Sequence, residues 1–122
     1  MKFTLGQAHA LLVGLNAVDR DEKTKLGAQA RLAIAININR LTPVVAAYEK
    51  ARNALLIEIV GEGPVTQLKE ARFAAADSGL REQEEGFELR RIGKAELRLD
   101  DNPRITGALI AMLAPILTDI DG

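Results

Sequence analysis

Residues 24–60, TKLGAQARLAIAININRLTPVVAAYEKARNALLIEIV, carry the strongest helical signal in this chain of 122 residues. The stretch contains no glycine after Gly27. Its apolar residues recur at spacings of three, four and seven, which is typical of one face of an α-helix and close to a heptad repeat. Arg52 occupies one position of this face, and the others are Ile34, Ile38, Leu41, Val45, Tyr48, Leu55 and Ile59. The pattern predicts a central helix much longer than the average of about 11–12 residues.

Pro43 interrupts this pattern and leaves two interpretations open. A proline inside a helix removes one backbone hydrogen bond and clashes with the preceding turn, so a single helix would be kinked near residues 40–43. Alternatively, Thr42 caps a second helix that carries Pro43 in its first turn, where proline is favoured. We slightly favour one long kinked helix over two helices that meet at this point. The sequence GEGP at residues 61–64 ends the helix in either case.

Shorter elements are predicted on both sides of the central helix. Thr4 and Gln7 form a capping-box pattern, and apolar residues at helical spacing follow it, which predicts a first helix over about 5–18. A third helix is expected over residues 65–76. The segment 81–92 contains features of both helix and strand, and we interpret it as helical.

The end of the chain combines an extended segment with an apolar helix. Residues 95–99 alternate between apolar and polar side chains, which predicts extended backbone or a short strand. The following residues, 104–118, predict a terminal helix that is apolar around most of its circumference, so it should lie in the core or at an interface. The sequence as a whole predicts a mainly α fold. We expect a helical bundle around one long kinked central helix, in a single domain over 1–122, with at most a small β element near 95–99.

The composition excludes several classes of chemistry. The chain has no cysteine, which excludes disulfides, thiolate zinc sites and cysteine nucleophiles. Its one histidine, His9, has no serine or aspartate at a supporting spacing, so we interpret it as a boundary residue rather than a general base. The 16 basic and 17 acidic residues nearly cancel, which argues against nucleic acid or anionic membrane as a partner. The apolar stretch 105–117 is shorter than the roughly 20 residues of a spanning helix.

Clusters of polar residues give no convincing site. Asp100 and Asp101 are candidates, with Glu96, for a divalent-cation site, but an acidic turn before a proline more often serves as a cap. Five glutamates between residues 82 and 96 surround the basic cluster of Arg90, Arg91, Lys94 and Arg98, which indicates a solvated face of mixed charge. Asn37 falls near the apolar face of the central helix. Two interpretations are open: a buried amide that fixes the register between helices, or a hydrogen-bonded asparagine in or at the edge of the core. We therefore predict no catalytic, metal-binding or nucleic-acid-binding residues and no cofactor.

The layout of the chain resembles a known family of small proteins. The run RLAIAININRLTP at 31–43 contains a Leu-x-Pro step, and VVAAYEKARNALL at 44–56 contains a Tyr-Glu-x-x-Arg segment. With the ELRL element at 96–99 and the leucine-rich end at 109–117, this order resembles the tailed-phage and prophage family known as domain of unknown function 1617. The GEG sequence at 61–63 departs from the Tyr-Gly ending of that family. The resemblance implies a phage setting, in the cytoplasm of the bacterial host or in the virion, and supplies no catalytic residues.

These observations predict a non-enzymatic phage protein that acts through protein–protein contacts, in virion structure or assembly. The reason is that a long helix and an apolar terminal helix offer more apolar surface than three short helices readily cover. The partner is another protein or a second copy in a homo-oligomer. The residues that we predict to contact it are Arg52, Leu55, Ile59, Met112 and Leu113. The alternative is a small phage inhibitor of a host defence complex that docks through the charged segment 82–98.

Overall fold

A computed structural model describes residues 1–118 and confirms the mainly α fold. Four α-helices account for most of the described chain, and four short strands form two small sheets. In chain order the elements are β1 (Lys2–Thr4), α1 (Leu5–Arg20), α2 (Ala28–Val60), α3 (Gln67–Arg81), β2 (Glu84–Gly86), β3 (Ile92–Gly93), a 3-10 helix (Lys94–Leu97), α4 (Gly107–Leu113), a second 3-10 helix (Ala114–Ile116) and β4 (Leu117–Thr118). The predicted domain 1–122 includes four residues, 119–122, that lie outside the described part.

Helix α2 is one continuous helix of 33 residues that contains Pro43, which confirms the single-helix interpretation. Pro43 lies on the exposed side of the helix, where its ring meets solvent rather than the core. The hydroxyl of Thr42 donates to the carbonyl oxygen of Ile38 at 2.6 Å, which provides a hydrogen bond beside the backbone bond that proline cannot make. The helix ends at Gly61, whose φ of 58° is favourable for glycine.

The core forms where α1 packs against the first half of α2, and α4 also packs against α1. The predicted capping box at the start of α1 is confirmed, because Thr4 Oγ1 accepts from the Gln7 backbone at 3.1 Å and Gln7 Oε1 accepts from the Thr4 backbone at 2.9 Å. The largest fully buried side chains of the core come from α1, the first half of α2 and the last third of the described chain: Leu11, Leu15, Ile34, Leu41, Ile92, Leu97, Leu113 and Ile116. Within residues 1–118, no helix is long and apolar enough to cross a membrane.

The prediction of a helix over 81–92 is wrong. Helix α3 ends at Arg81, and β2 then pairs antiparallel with β1 at the amino terminus. Tertiary contacts override the local helical preference of the glutamates, because Phe87 is buried with its ring centroid 6.1 Å from that of Phe3. Backbone bonds from Phe87 to Met1 fix the same pairing.

The prediction of an extended segment over 95–99 is also wrong, because residues 94–97 form a 3-10 helix. Glu96 Oε1 accepts from the backbone N–H of Gly93 at 3.2 Å, and the Asn102 amide donates to the Leu97 and Arg98 carbonyls. These bonds close a turn where the alternating pattern indicated a strand. The small β element expected near this segment is β3, which directly precedes the 3-10 helix and pairs in parallel with β4, and β1 and β2 form a second pair.

Two other helix predictions have the wrong length. The third helix, expected over 65–76, begins after its cap at Thr66 and continues to Arg81, since Asp77 is a buried hydrogen-bonded residue rather than a terminator. The terminal helix, expected over 104–118, contains an α-helix only over Gly107–Leu113. Pro115 then belongs to a 3-10 turn, after which β4 pairs with β3.

Asn37 ties α2 to the strand-like segment that follows β2. Its side chain is fully buried, donates to the Arg90 carbonyl at 2.9 Å and accepts from the Arg90 N–H at 2.7 Å. The amide therefore satisfies both backbone groups of one residue in the way that a neighbouring strand would.

Replacement of Asn37 by alanine should lower the free energy of unfolding by about 1–3 kcal/mol, because both Arg90 backbone groups lose their partner. Chemical denaturation measures this change. The matched control is Asn39→Ala on the exposed side of the same helix, which should change stability by at most about 0.7 kcal/mol, the range of helix propensity. Equal losses from the two variants would contradict the role assigned to Asn37.

Two helical glycines should respond to alanine in opposite directions. A Cβ added at Gly14 would lie 2.9 Å from Met112 Cβ, whereas a Cβ at Gly79 would meet no atom within 4 Å. Gly79→Ala should therefore stabilise the protein by about 0.5–1 kcal/mol. Gly14→Ala should destabilise it, because an overpacking cost of about 1–3 kcal/mol exceeds the same propensity gain. Thermal unfolding of both variants tests the close approach of α1 and α4, and stabilisation by Gly14→Ala would refute it.

Candidate protein-interaction surface

The second half of α2 and all of α3 form a helical hairpin, residues 46–81, that extends beyond the core. The last α2 residue in the core cluster is Val45, and the cluster contains no residue of α3. Within the hairpin only Tyr48 and Asp77 are buried, and both lie at the end nearest the core. The other half of the hairpin is therefore covered mainly by the packing of its own two helices.

Large apolar side chains are exposed where the hairpin turns. We call Leu56, Ile57, Val65 and Leu68 the apolar tip; they are 40%, 75%, 58% and 67% exposed. Single exposed apolar residues are normal on a protein surface, but a group of them marks an interaction site. Four such residues within 13 positions of the chain form the densest group of this kind in the described part.

The turn that carries the tip is held by specific hydrogen bonds. The ammonium group of Lys69 donates to the Val60 carbonyl at 2.9 Å and to the Pro64 carbonyl at 3.3 Å. Thr66 caps α3 by accepting from the Lys69 backbone. Lys69 therefore occupies carbonyl groups that the end of α2 leaves free, and it fixes the connection between the two helices.

The surroundings of the apolar tip carry negative charge. Residues 56–70 include Glu58, Glu62 and Glu70, all exposed, against one basic residue, Lys69. The Lys69 ammonium is directed at backbone carbonyls, as described above. Exposed acidic side chains therefore outnumber exposed basic ones within residues 56–70, and the exposed Arg72 follows one helical turn after Leu68.

A polar network connects the base of the hairpin. Tyr48 donates its hydroxyl proton to Asp77 Oδ1 at 2.8 Å, and Arg52 Nε lies 3.7 Å from the same oxygen. The Arg52 guanidinium also lies over the Phe73 ring, 5.0 Å from its centroid. We expected Arg52 to pair with Glu49 or Glu58, or to contact a partner. Its observed contacts are with α3 instead.

The predicted partner-binding residues do not form one surface. Leu55 and Ile59 are half-buried on the α2 face that Tyr48 and Arg52 share, and that face is turned towards α3. Met112 is half-buried, with its Cβ close to Gly14 of α1. Leu113 is 1% exposed and belongs to the core, so it presents no surface to a partner.

The sequence prediction missed the tip residues because it followed the apolar face of α2. Ile57 lies on the opposite side of α2 from Tyr48, since nine residues at about 100° each place it half a turn away. One large apolar residue off the regular face is common, but several of them close together along the chain are a sequence signal of an interaction site. Val65 and Leu68, which follow directly after the terminating GEGP sequence, carry the same signal.

The candidate metal ligands do not converge. Within residues 1–118, no group of three histidine or acidic side chains is arranged to hold a metal ion. Glu96 accepts from the Gly93 backbone, and Asp100 and Asp101 lie exposed in the turn that follows.

The network at the base of the hairpin predicts a pH dependence of stability. Burial, and then the hydrogen bond and charge of Asp77, raise the pKa of Tyr48 above its ordinary value of 10.0. The unfolded chain therefore releases this proton at a lower pH than the folded protein does, so stability falls as the pH rises above 10. In Tyr48→Phe this part of the decline should be absent. Urea denaturation between pH 8 and about 11 tests it, and an unchanged pH slope would contradict the assignment.

Comparison of the chain with models of known protein families, with curated proteins and with solved structures gave no match of any of the three kinds.

Proposed function

We propose that this protein is a non-enzymatic phage component that acts in virion structure or assembly, in the host cytoplasm and in the virion. It does so by inserting the apolar tip into a pocket of another protein. That pocket is apolar inside and basic at its rim. The observation that carries the proposal is the exposure of Leu56, Ile57, Val65 and Leu68 at the end of a hairpin that the core does not cover.

The shape of the surface supports insertion into a concave partner. The end of a helical hairpin is convex, and Ile57 and Leu68 are exposed on its two flanks. Ile57 lies opposite Tyr48 on α2, and Leu68 lies opposite Asp77 on α3. Full burial of one Leu, Ile or Val side chain contributes about 1.5–3 kcal/mol, so several of them in a desolvated pocket contribute substantially to binding. The proposed partner therefore supplies the groove, and this chain supplies the inserted element.

The acidic residues near the apolar tip support a basic rim on the partner's pocket. Glu58, Glu62 and Glu70 are exposed within residues 56–70, which contain no exposed basic side chain, and Arg72 is the first exposed basic residue after them. Opposite potentials across an interface favour the correct partner and accelerate association. Two copies of this chain meeting tip to tip would instead bring like charges together.

The extent of the tip also argues for a partner other than a second copy. A stable interface buries about 800 Å² per partner over roughly 20–30 residues. Two convex tips of four apolar residues each offer far less contact than this. A groove that receives the tip also covers the flanks of both helices and reaches the required area.

Site-specific photocrosslinking in the phage-producing bacterium tests the proposal. A benzophenone amino acid placed at Ile57 or Leu68 should give one defined heterologous adduct, whereas the same group at Leu32, 48% exposed near the start of α2, should not. The crosslinked peptide should belong to a virion or assembly protein and should lie in an apolar pocket flanked by lysine or arginine.

Three outcomes would overturn the proposal. An adduct of twice the mass of the chain would assign the tip to self-association. Equal crosslinking from Leu32 would remove the special role of the tip. A subunit of a host defence complex as the crosslinked protein would replace the virion role with the inhibitor that the sequence offers as its alternative.

Charge substitution at the tip should abolish binding to the identified partner without affecting the fold. The double variant Ile57→Asp with Leu68→Asp should bind at least about thirtyfold more weakly in calorimetry, because one apolar side chain is lost from each flank of the tip. Leu32→Asp is the matched control and should bind as the parent does. All three proteins should have the same helical content in circular dichroism, since the substituted side chains are exposed.

A further inference from the structure

A polar cavity lies where α1, α2 and α3 meet at the base of the hairpin. Its volume is about 440 Å³, and it is lined by His9, Tyr48, Glu49, Arg52, Asn53 and Arg81. None of these six side chains is aliphatic, so the cavity differs in chemistry from the apolar tip. A neighbouring groove between the start of α1 and the end of α3 shares Arg81 with it.

Two guanidinium groups line this cavity with unused donors. Arg52 approaches Asp77 only through Nε, at 3.7 Å, which is longer than a hydrogen bond. Arg81 forms no ion pair and donates no hydrogen bond to another residue of 1–118; its side chain packs against Gly6 instead. Each guanidinium carries five N–H donors in a planar fork. Two like charges beside one cavity make it favourable for an anion to enter between them.

Two carboxylates lie near the cavity, and one of them, Asp77, accepts a hydrogen bond. Asp77 accepts the Tyr48 hydroxyl proton at 2.8 Å and lies beside Arg52. Glu49 Oε1 lies 3.6 Å from His9 Nε2. Its side chain is 57% exposed at the rim, where water screens its charge. The donors inside the cavity therefore outnumber the acceptors that face them.

We propose that this cavity binds an oxyanion, the phosphate or carboxylate group of a ligand, between Arg52 and Arg81. Arginine forks pair with both groups through two parallel hydrogen bonds. Asn53, on the same side of α2 as the cavity, supplies an amide donor to the same group. The bound anion bridges α2 and the end of α3. The site uses no residue of the apolar tip and is independent of the function proposed above.

Titration with inorganic phosphate and with acetate, followed by ¹H–¹⁵N NMR of the whole chain, tests the site. Saturable shifts are expected at residues 49–53 and 79–82 and at His9, with no saturable shift at the tip. Phosphate and acetate share the oxyanion chemistry, so binding of either one supports the proposal and identifies the preferred class. Shifts that are linear and spread over the whole surface would overturn it.

Three substitutions distinguish a built site from general electrostatic attraction. Arg81→Ala should weaken binding by about tenfold or more, the effect of losing a charge-assisted pair. Arg72→Ala removes the same charge from an exposed position on the same helix and should leave the affinity unchanged. Glu49→Gln should tighten binding, because it removes a negative charge from the rim. Equal weakening by Arg72→Ala and Arg81→Ala, or weaker binding by Glu49→Gln, would refute an anion site in this cavity.

Discussion

The continuity of α2 through Pro43 is the constraint on which the rest of the structure depends. The first half of this helix supplies Ile34 and Leu41 to the core, and the second half forms one side of the hairpin. A break at Pro43 would separate these two parts, and the hairpin would have no fixed direction. The helix continues through Pro43, whose ring faces solvent and so displaces no core side chain. One rigid element therefore belongs to two packing units.

The transition between these units is polar rather than apolar. Tyr48 and Asp77 are the last buried side chains before the hairpin leaves the core, and they are joined by a hydrogen bond. A buried polar pair of this kind fixes register, because a shift of one helix along the other would leave both groups without partners. The hydrogen bond therefore fixes the register of α3 on α2 at the end near the core. Towards the turn, mixed polar and apolar contacts hold the two helices together. Arg52, over Phe73, belongs to the same arrangement.

The sequence was sufficient to predict the helices whose apolar faces are long and regular. Periodicity located α1 and α2, and the Thr4–Gln7 pattern located the start of α1. It failed where distant residues decide the structure. Residues 84–86 are a strand only because β1 lies beside them. The local glutamate-rich sequence gives no indication that it pairs with Lys2–Thr4. The short β3–β4 pair likewise joins residues about 25 positions apart and depends on the tertiary fold.

The candidate surface shows the same division between local and tertiary information. Arg52, Leu55 and Ile59 were selected because they continue the face of α2, and α3 lies on that face. The exposure of Ile57 and Leu68 cannot be predicted from periodicity, because it depends on which other elements of the fold pack against them. Helix α2 rises about 1.5 Å per residue, so residues 46–60 place the turn roughly 20 Å beyond the last core residue of the helix. The helix thus acts as a spacer of defined length: a partner held at the tip would be kept at a set distance from the body of this protein.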